Sequence, residues 1–162
     1  MLLAVISDTH LPRGARTLPD GCVERLRAAD LIIHSGDLTA LSVLEELRRY
    51  GNVSAIHGNV DDAEVVAALP AKLELDIGGC RLVVIHDAGS RLGRLERLRR
   101  GFPDADAVIF GHSHIPLHER DSAGFQIFNP GSPSDRRRSP HHTMGVARAA
   151  QGTVEFELIE LD

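Results

Sequence analysis

Residues 2–10 read LLAVISDTH, five apolar residues followed directly by a serine, an aspartate, a threonine and a histidine. A short aliphatic run that ends in polar residues is typical of a buried strand. Four further runs of this kind occur, at residues 31–33, 53–56, 82–85 and 107–110. The sequence therefore predicts five buried strands, each with polar residues just beyond its carboxyl end.

Seven side chains that bind divalent metals follow these runs. They belong to five short motifs, Asp-x-His, Gly-Asp, Gly-Asn, a single His and Gly-His-Ser-His, and they are Asp8, His10, Asp37, Asn59, His86, His112 and His114. The carboxyl ends of strands in open α/β sheets are where functional residues gather, so we expect these side chains to converge. Each motif alone is common, but the ordered set predicts a two-metal site.

The residue types suggest separate roles within that site. Asp8 and His10 are two residues apart, so both can turn toward one metal where the backbone leaves the sheet. Asp37 follows a glycine, and its two carboxylate oxygens make it the expected bridging ligand. The Asn59 carbonyl adds a ligand without adding negative charge.

Amphipathic patterns separate the predicted strands and indicate helices over residues 21–29, 41–50, 61–69 and 91–100. The last third instead alternates, over residues 117–121, 125–128, 143–149 and 153–161, which favours antiparallel hairpins. Together these patterns predict an α/β fold in which two packed mixed β-sheets are flanked by helices, an α/β/β/α sandwich. We expect residues 1–162 to form a single domain.

Composition limits the classes of partner. The net charge of −5 gives little electrostatic support for binding a nucleic-acid polymer or an anionic membrane. No apolar stretch approaches the roughly 18 residues of a membrane span, and the first apolar run is too short for a signal peptide, so we expect a cytoplasmic protein. Cys22 and Cys80 show no metal or redox spacing and are expected to be free buried thiols.

The motif order resembles the calcineurin-like metallophosphoesterase superfamily, and more narrowly its small bacterial and archaeal phosphodiesterases, which share the Asn-Pro-Gly-Ser turn found at residues 129–132. The resemblance implies that one metal binds Asp8, His10, Asp37 and His114. The other would bind Asp37, Asn59, His86 and His112. It also implies hydrolysis of a small or activated phosphodiester by a metal-bridging hydroxide, with a catalytic set of Asp37, Asn59 and His112.

One position departs from the larger phosphatases of that superfamily. They have a histidine after the Gly-Asn pair that is thought to protonate the leaving oxygen, whereas this chain has Val60. An aliphatic side chain cannot donate a proton, so good leaving groups, as in activated phosphodiesters, are expected. His34 and His57 are candidates for a substitute acid or substrate contact, with packing beside the site as the alternative.

Several questions stay open at the level of sequence. A mixed oxygen and nitrogen shell admits Mn, our first choice, and also Fe, Co, Ni or Zn. The alternatives to a phosphodiesterase are a metal-binding protein-interaction scaffold of the same fold and a nuclease. A homodimer is plausible, and the arginines at residues 136–138 belong either to a mobile surface loop or to a grip on an anionic substrate.

Overall fold

The computed structural model describes residues 1–161. Its ten strands are β1 Leu2–Ile6, β2 Leu31–His34, β3 Val53–Ala55, β4 Lys72–Ile77, β5 Cys80–Ile85, β6 Ala107–Ile109, β7 Leu117–Arg120, β8 Gln126–Asn129, β9 Thr143–Ala150 and β10 Thr153–Glu160. Its four helices are α1 Asp20–Ala28, α2 Leu41–Tyr50, α3 Ala63–Ala68 and α4 Arg94–Gly101.

The strands form two mixed sheets of five strands each, which confirms the predicted architecture. The first sheet has the order β10-β9-β1-β2-β3, and the second has the order β4-β5-β6-β8-β7. In the first sheet β1, β2 and β3 are parallel, and β9 and β10 are antiparallel to their neighbours. In the second sheet β5, β6 and β8 are parallel, with β4 and β7 antiparallel at the edges.

Three apolar layers explain why both faces of each sheet are buried. Along β1, Leu3 and Val5 face the second sheet and pack in one cluster with residues such as Val84. The alternate residues of β1 pack against α1 and α2 in a second cluster. A third cluster lies between the second sheet and α4. The alternation of side chains along a strand therefore produces the α/β/β/α layering.

The structure differs from the sequence-based expectation at several elements. Strand β4 was not predicted: it has no continuous aliphatic run, and its alternating polar and apolar residues lie at a sheet edge where only Ile77 is buried. Helix α3 begins only at Ala63, since the Asp62 carboxylate accepts the amide of Val65 at 2.9 Å and caps it. Helix α4 begins at Arg94, after Gly93 with a φ of +63°.

The predicted antiparallel region divides between the sheets. β7 and β8 form a hairpin in the second sheet, whereas β9 and β10 pair in the first. Cys22 and Cys80 are buried free thiols, as predicted. Among residues 1–161, no helix has the length and apolar character needed to cross a membrane.

The two sheets are in close contact where Gly145 of β9 faces Phe128 of β8. A methyl group at Gly145 would lie 2.4 Å from a Phe128 ring carbon, so we expect Gly145→Ala to destabilise the protein by about 1–3 kcal/mol. Urea unfolding measures this change. Gly101→Ala is the matched control, because its added methyl meets no atom within 4 Å. Equal stability of the Gly145→Ala variant and the parent protein would contradict this account of the interface.

Candidate metal centre

The site lies where the carboxyl ends of the parallel strands of both sheets meet. Five of the seven predicted ligands have a positive φ, between 48° and 67°, and they are Asp8, His10, Asp37, His112 and His114. Left-handed backbone at residues other than glycine is uncommon and costs on the order of 1–3 kcal/mol per residue. Such strain is concentrated at functional sites, where the surrounding structure enforces it.

Backbone hydrogen bonds hold the strained turns of the first sheet together. The amide of Asp8 donates to the Gly36 carbonyl at 3.0 Å, and the amide of His10 donates to the Asp37 carbonyl at 3.1 Å. Glycines permit the close approach: a Cβ on Gly36 would lie 2.6 Å from His86 Nδ1, and one on Gly58 would lie 2.1 Å from Asp37 Oδ1. The Gly-Asp and Gly-Asn motifs therefore need their glycines for steric reasons.

Asp61 positions two of these loops, a role that sequence analysis did not assign to it. Its carboxylate accepts the amides of Gly58 at 2.6 Å, Thr39 at 2.6 Å and Asp37 at 3.1 Å. The loop that carries Asp37 is thereby fixed to the loop that carries Asn59. The available signal was a carboxylate placed two residues after the Gly-Asn pair, a position from which Asp commonly binds nearby amides.

The second sheet is tied to the first through Asp8 and the Asn-Pro-Gly-Ser turn. The His112 amide donates to the Asp8 carboxylate at 2.9 Å, and Ser132 Oγ donates to the Asp8 carbonyl at 2.8 Å. The Asn129 amide group donates to the Gly111 carbonyl at 2.9 Å. The turn therefore fixes the positions of the loops of both sheets relative to one another around the site.

One group of donor atoms forms around His10 and His114. Their Nε2 atoms are 3.1 Å apart, and the Asp8 Oδ1 atom lies 3.4 Å from the Nε2 of His114 and 3.9 Å from that of His10. Ligands about 2.1 Å from one ion are roughly 3–3.5 Å apart, so this spacing fits a shared metal. All three side chains are buried.

A second group of donor atoms forms around His86. Its Nε2 lies 3.3 Å from Asp37 Oδ2 and 3.0 Å from Asn59 Oδ1, and His112 Nδ1 is 3.0 Å from the same Asn59 oxygen. Asp37 Oδ2 also lies 3.6 Å from His10 Nε2, so one carboxylate oxygen faces both groups. The structure thus brings all seven predicted residues together, with Asn59 and His112 on the exposed side.

Hydrogen bonds set the orientation of two of the imidazoles. The Nδ1 of His86 pairs with the Ser35 carbonyl at 2.8 Å, and the Nδ1 of His114 pairs with the Asp135 carbonyl. A carbonyl can only accept, so each Nδ1 carries a proton, and each Nε2 is the nitrogen that would bind a metal. This arrangement is typical of metal-binding histidines.

The surroundings of Asp8 and Asp37 give the two carboxylates very different pKa values. Burial raises the pKa of Asp8 to about 7. Burial also tends to raise the pKa of Asp37, but hydrogen bonds from His86 and the Val60 amide outweigh it, and the pKa falls to about 2. Burial lowers the pKa of His10 to about 4, so that imidazole is neutral and able to bind a metal at pH 7.

Three further histidines pair or pack with neighbouring groups, and two of them, His34 and His57, are the candidates named from the sequence. His34 is fully buried, its Nε2 is 3.1 Å from Thr9 Oγ1, and its Nδ1 accepts the Gly36 amide. It therefore supports the site from behind and does not open into it. The ring of His57 pairs with the Gly58 carbonyl, and that of His118 packs against Phe128.

Comparison with known proteins identifies the family. Residues 1–152 match the calcineurin-like phosphoesterase superfamily domain, and the chain belongs to this superfamily. A probable metallophosphoesterase of Methanothermobacter thermautotrophicus is 35% identical over 161 residues, which span 98% of this chain and 92% of that protein. The chain is thus a metal-dependent phosphoesterase by family, as the motif order predicted.

Solved structures share the fold. Wild-type Vps29 of Entamoeba histolytica, crystallised with Zn²⁺, has a TM-score of 0.76 at 22% identity, with both chains fully covered. An archaeal phosphodiesterase has a TM-score of 0.72 at 21% identity, covering 98% of this chain and all of the other. Similarity at this level of identity establishes the two-sheet sandwich alone.

The raised pKa of Asp8 has a consequence for stability without metal. The folded protein binds this proton more tightly than the unfolded chain does, so stability falls as pH rises from about 4 to about 7. Metal-stripped Asp8→Asn should therefore be about 1–3 kcal/mol more stable than the metal-stripped parent at pH 8.

Urea unfolding in the presence of a chelator, at about pH 4.5 and about pH 8, measures the difference in unfolding free energy between the two proteins. The difference between the two proteins should be small at the lower pH, where Asp8 is protonated. A difference that is the same at both pH values would show that ionisation of Asp8 does not limit the stability of the metal-free protein.

Proposed function

We propose that this chain is a phosphodiesterase with a two-metal centre that acts on a small or activated phosphodiester. The observation that carries the proposal is the position of Asp37 Oδ2, 3.6 Å from His10 Nε2 and 3.3 Å from His86 Nε2. One metal would be held by Asp8, His10, Asp37 and His114. The other would be held by Asp37, Asn59, His86 and His112.

Two divalent ions at such a site supply Lewis-acid charge for the phosphoryl oxygens and activate a water molecule. The chain itself holds the donor atoms in fixed positions through the strained turns and the Asp61 carboxylate. Asn59 and His112 lie on the exposed side, so a phosphoryl group that enters the site meets them first. We therefore assign the catalytic contacts to Asp37, Asn59 and His112.

The preference for diesters follows from the residue after Asn59. The Val60 amide donates to Asp37 Oδ1 at 3.0 Å, so its backbone helps orient the proposed bridging carboxylate. Its aliphatic side chain cannot protonate a leaving oxygen. His34 does not replace it, because both of its ring nitrogens pair with buried groups of the protein, Thr9 Oγ1 and the Gly36 amide. A phosphodiester with a good leaving group is therefore the best substrate class, and a similar fold occurs in an archaeal phosphodiesterase.

We propose manganese as the metal, because the donor set combines carboxylate, amide and imidazole groups without a thiolate. The net charge of −5 favours a small substrate over a nucleic-acid polymer. The competing function is a metal-binding scaffold for protein assembly, since folds of this kind are not tied to catalysis. A direct assay separates the two.

The assay is hydrolysis of bis(4-nitrophenyl) phosphate by metal-stripped protein, with and without Mn²⁺. We expect turnover only with metal, and a loss of about 100-fold or more in His112→Ala. Asp37→Asn should lose turnover and bound manganese together, because it weakens the ligand shared by both groups. Metal content is measured by elemental analysis of each variant.

His141→Ala is the control, since this half-buried side chain lies 3.9 Å from exposed Glu160 and is not one of the seven predicted ligands. An Asp37→Asn variant that kept two metals and full turnover would overturn the ligand assignment. Absence of turnover with every candidate metal would instead favour the scaffold.

A second prediction concerns the missing acid. Val60→His should raise hydrolysis of phenyl phosphate, a monoester with a poor leaving group, relative to bis(4-nitrophenyl) phosphate by about 10-fold, because a correctly placed general acid typically contributes 10² to 10⁴. Val60→Leu is the matched control and should leave the ratio unchanged. A ratio that does not move in Val60→His would show that this side chain does not face the leaving group.

A further inference from the structure

Two arginines from different loops share one carboxylate beside the candidate metal centre. Arg16 Nη1 lies 3.3 Å from Asp135 Oδ2, and Arg137 Nε lies 3.9 Å from the same oxygen. Two positive charges on one negative charge leave a net charge of +1. We call this group of three side chains the arginine bridge.

The arginine bridge is fixed directly to the ligand shell. The Asp135 carbonyl accepts a hydrogen bond from His114 Nδ1, and the Asp135 amide donates a hydrogen bond to Ser132 Oγ at 2.8 Å. Ser132 Oγ in turn donates to the Asp8 carbonyl. The backbone that carries the shared carboxylate is therefore held by the residues that form the first donor group.

The arginines at residues 136–138 do not share one environment. Arg136 turns back into its own loop, where Nη1 donates to the carbonyls of Ser139 at 2.9 Å and Pro140 at 3.1 Å. Arg137 has a φ of +47° and a side chain that is 52% exposed. Within residues 1–161, Asp135 is the only acid in contact with either guanidinium of the bridge.

Most of the hydrogen-bond donors of the bridge are uncommitted. A guanidinium has five N–H groups in a planar fork that matches a carboxylate or a phosphate. Asp135 engages one nitrogen of each arginine and separates the two charges without neutralising both. The remaining donors of two half-exposed side chains are available to an anion beside the site.

We propose that Arg16 and Arg137 bind a second anionic group of the substrate, carried on the part of the diester that does not react. This inference rests on the proposed phosphodiesterase function and narrows its substrate class to diesters that bear an additional carboxylate or phosphate. The arginine bridge would select the substrate, and it takes no part in the reaction at phosphorus.

A pair of matched substrates tests the proposal in the manganese-loaded protein. They are 4-nitrophenyl 4-carboxyphenyl phosphate and the analogue in which an uncharged carbamoyl group replaces the carboxylate. The two diesters differ by one negative charge and little in shape. We expect kcat/KM to favour the carboxylate by about 10-fold through KM, with a preference that weakens as salt is added. Arg137→Gln and Arg16→Gln should each bring the ratio of the two kcat/KM values close to one.

Arg138→Gln is the matched control, since it removes the same charge from the same exposed loop and should keep the preference. A ratio near one in the parent protein, or an unchanged ratio in Arg137→Gln, would overturn the inference while hydrolysis of bis(4-nitrophenyl) phosphate still supported the proposed function.

A binding experiment keeps the test independent of turnover. Calorimetric titration of the manganese-loaded protein with 4-carboxyphenyl phosphate and 4-carbamoylphenyl phosphate should show the same preference, lost in Arg137→Gln. Failure of the proposed function would appear as binding without hydrolysis of any diester. Failure of the inference would appear as equal affinity for the two ligands.

Discussion

The hydrogen bond from the His112 amide to the Asp8 carboxylate is the contact on which the site depends. It joins the loop after β6 to the loop after β1 and, with the Ser132–Asp8 and His86–Ser35 hydrogen bonds, links the two sheets at their carboxyl ends. Asp8, His10, Asp37 and Asn59 follow strands of the first sheet, whereas His86, His112 and His114 follow strands of the second. Without a polar link at the carboxyl ends, the two halves of the donor set would have no fixed distance between them.

That arrangement works against stability. The turns place five ligand residues in left-handed backbone, and they bury the Asp8 carboxylate so that its pKa rises to about 7. The buried Nδ1 of His10 has no partner among the described residues. The three apolar clusters on either side of the sheets supply the stability that offsets these costs. A bound cation would relieve the same electrostatic burden, because it provides the missing positive charge.

Residues outside the motifs decide the precision of the site. Asp61 fixes two loops of the first sheet through three amides, and Ser132 fixes the Asn-Pro-Gly-Ser turn to β1. The carbonyls of Ser35 and Asp135 orient two imidazoles. These groups share one physical function: each removes the freedom of a donor-bearing loop before any ligand arrives, which lowers the entropic penalty of binding.

The sequence by itself determined the types of element and the types of ligand. Aliphatic runs that end in polar residues identify β1, β2, β5 and β6, because burial on both faces requires continuous apolar character, and a similar run at residues 53–56 identifies the edge strand β3. Tertiary structure alone decided which sheet each strand joins, since pairing depends on contacts between distant segments. Strand β4 escaped prediction because it has no continuous aliphatic run, and Asp61 escaped because two of the three amides that it binds, those of Asp37 and Thr39, lie on another loop. Local sequence thus determines the chemical type of each side chain and the kind of element that carries it. Only the packing of the two sheets determines which groups that side chain contacts.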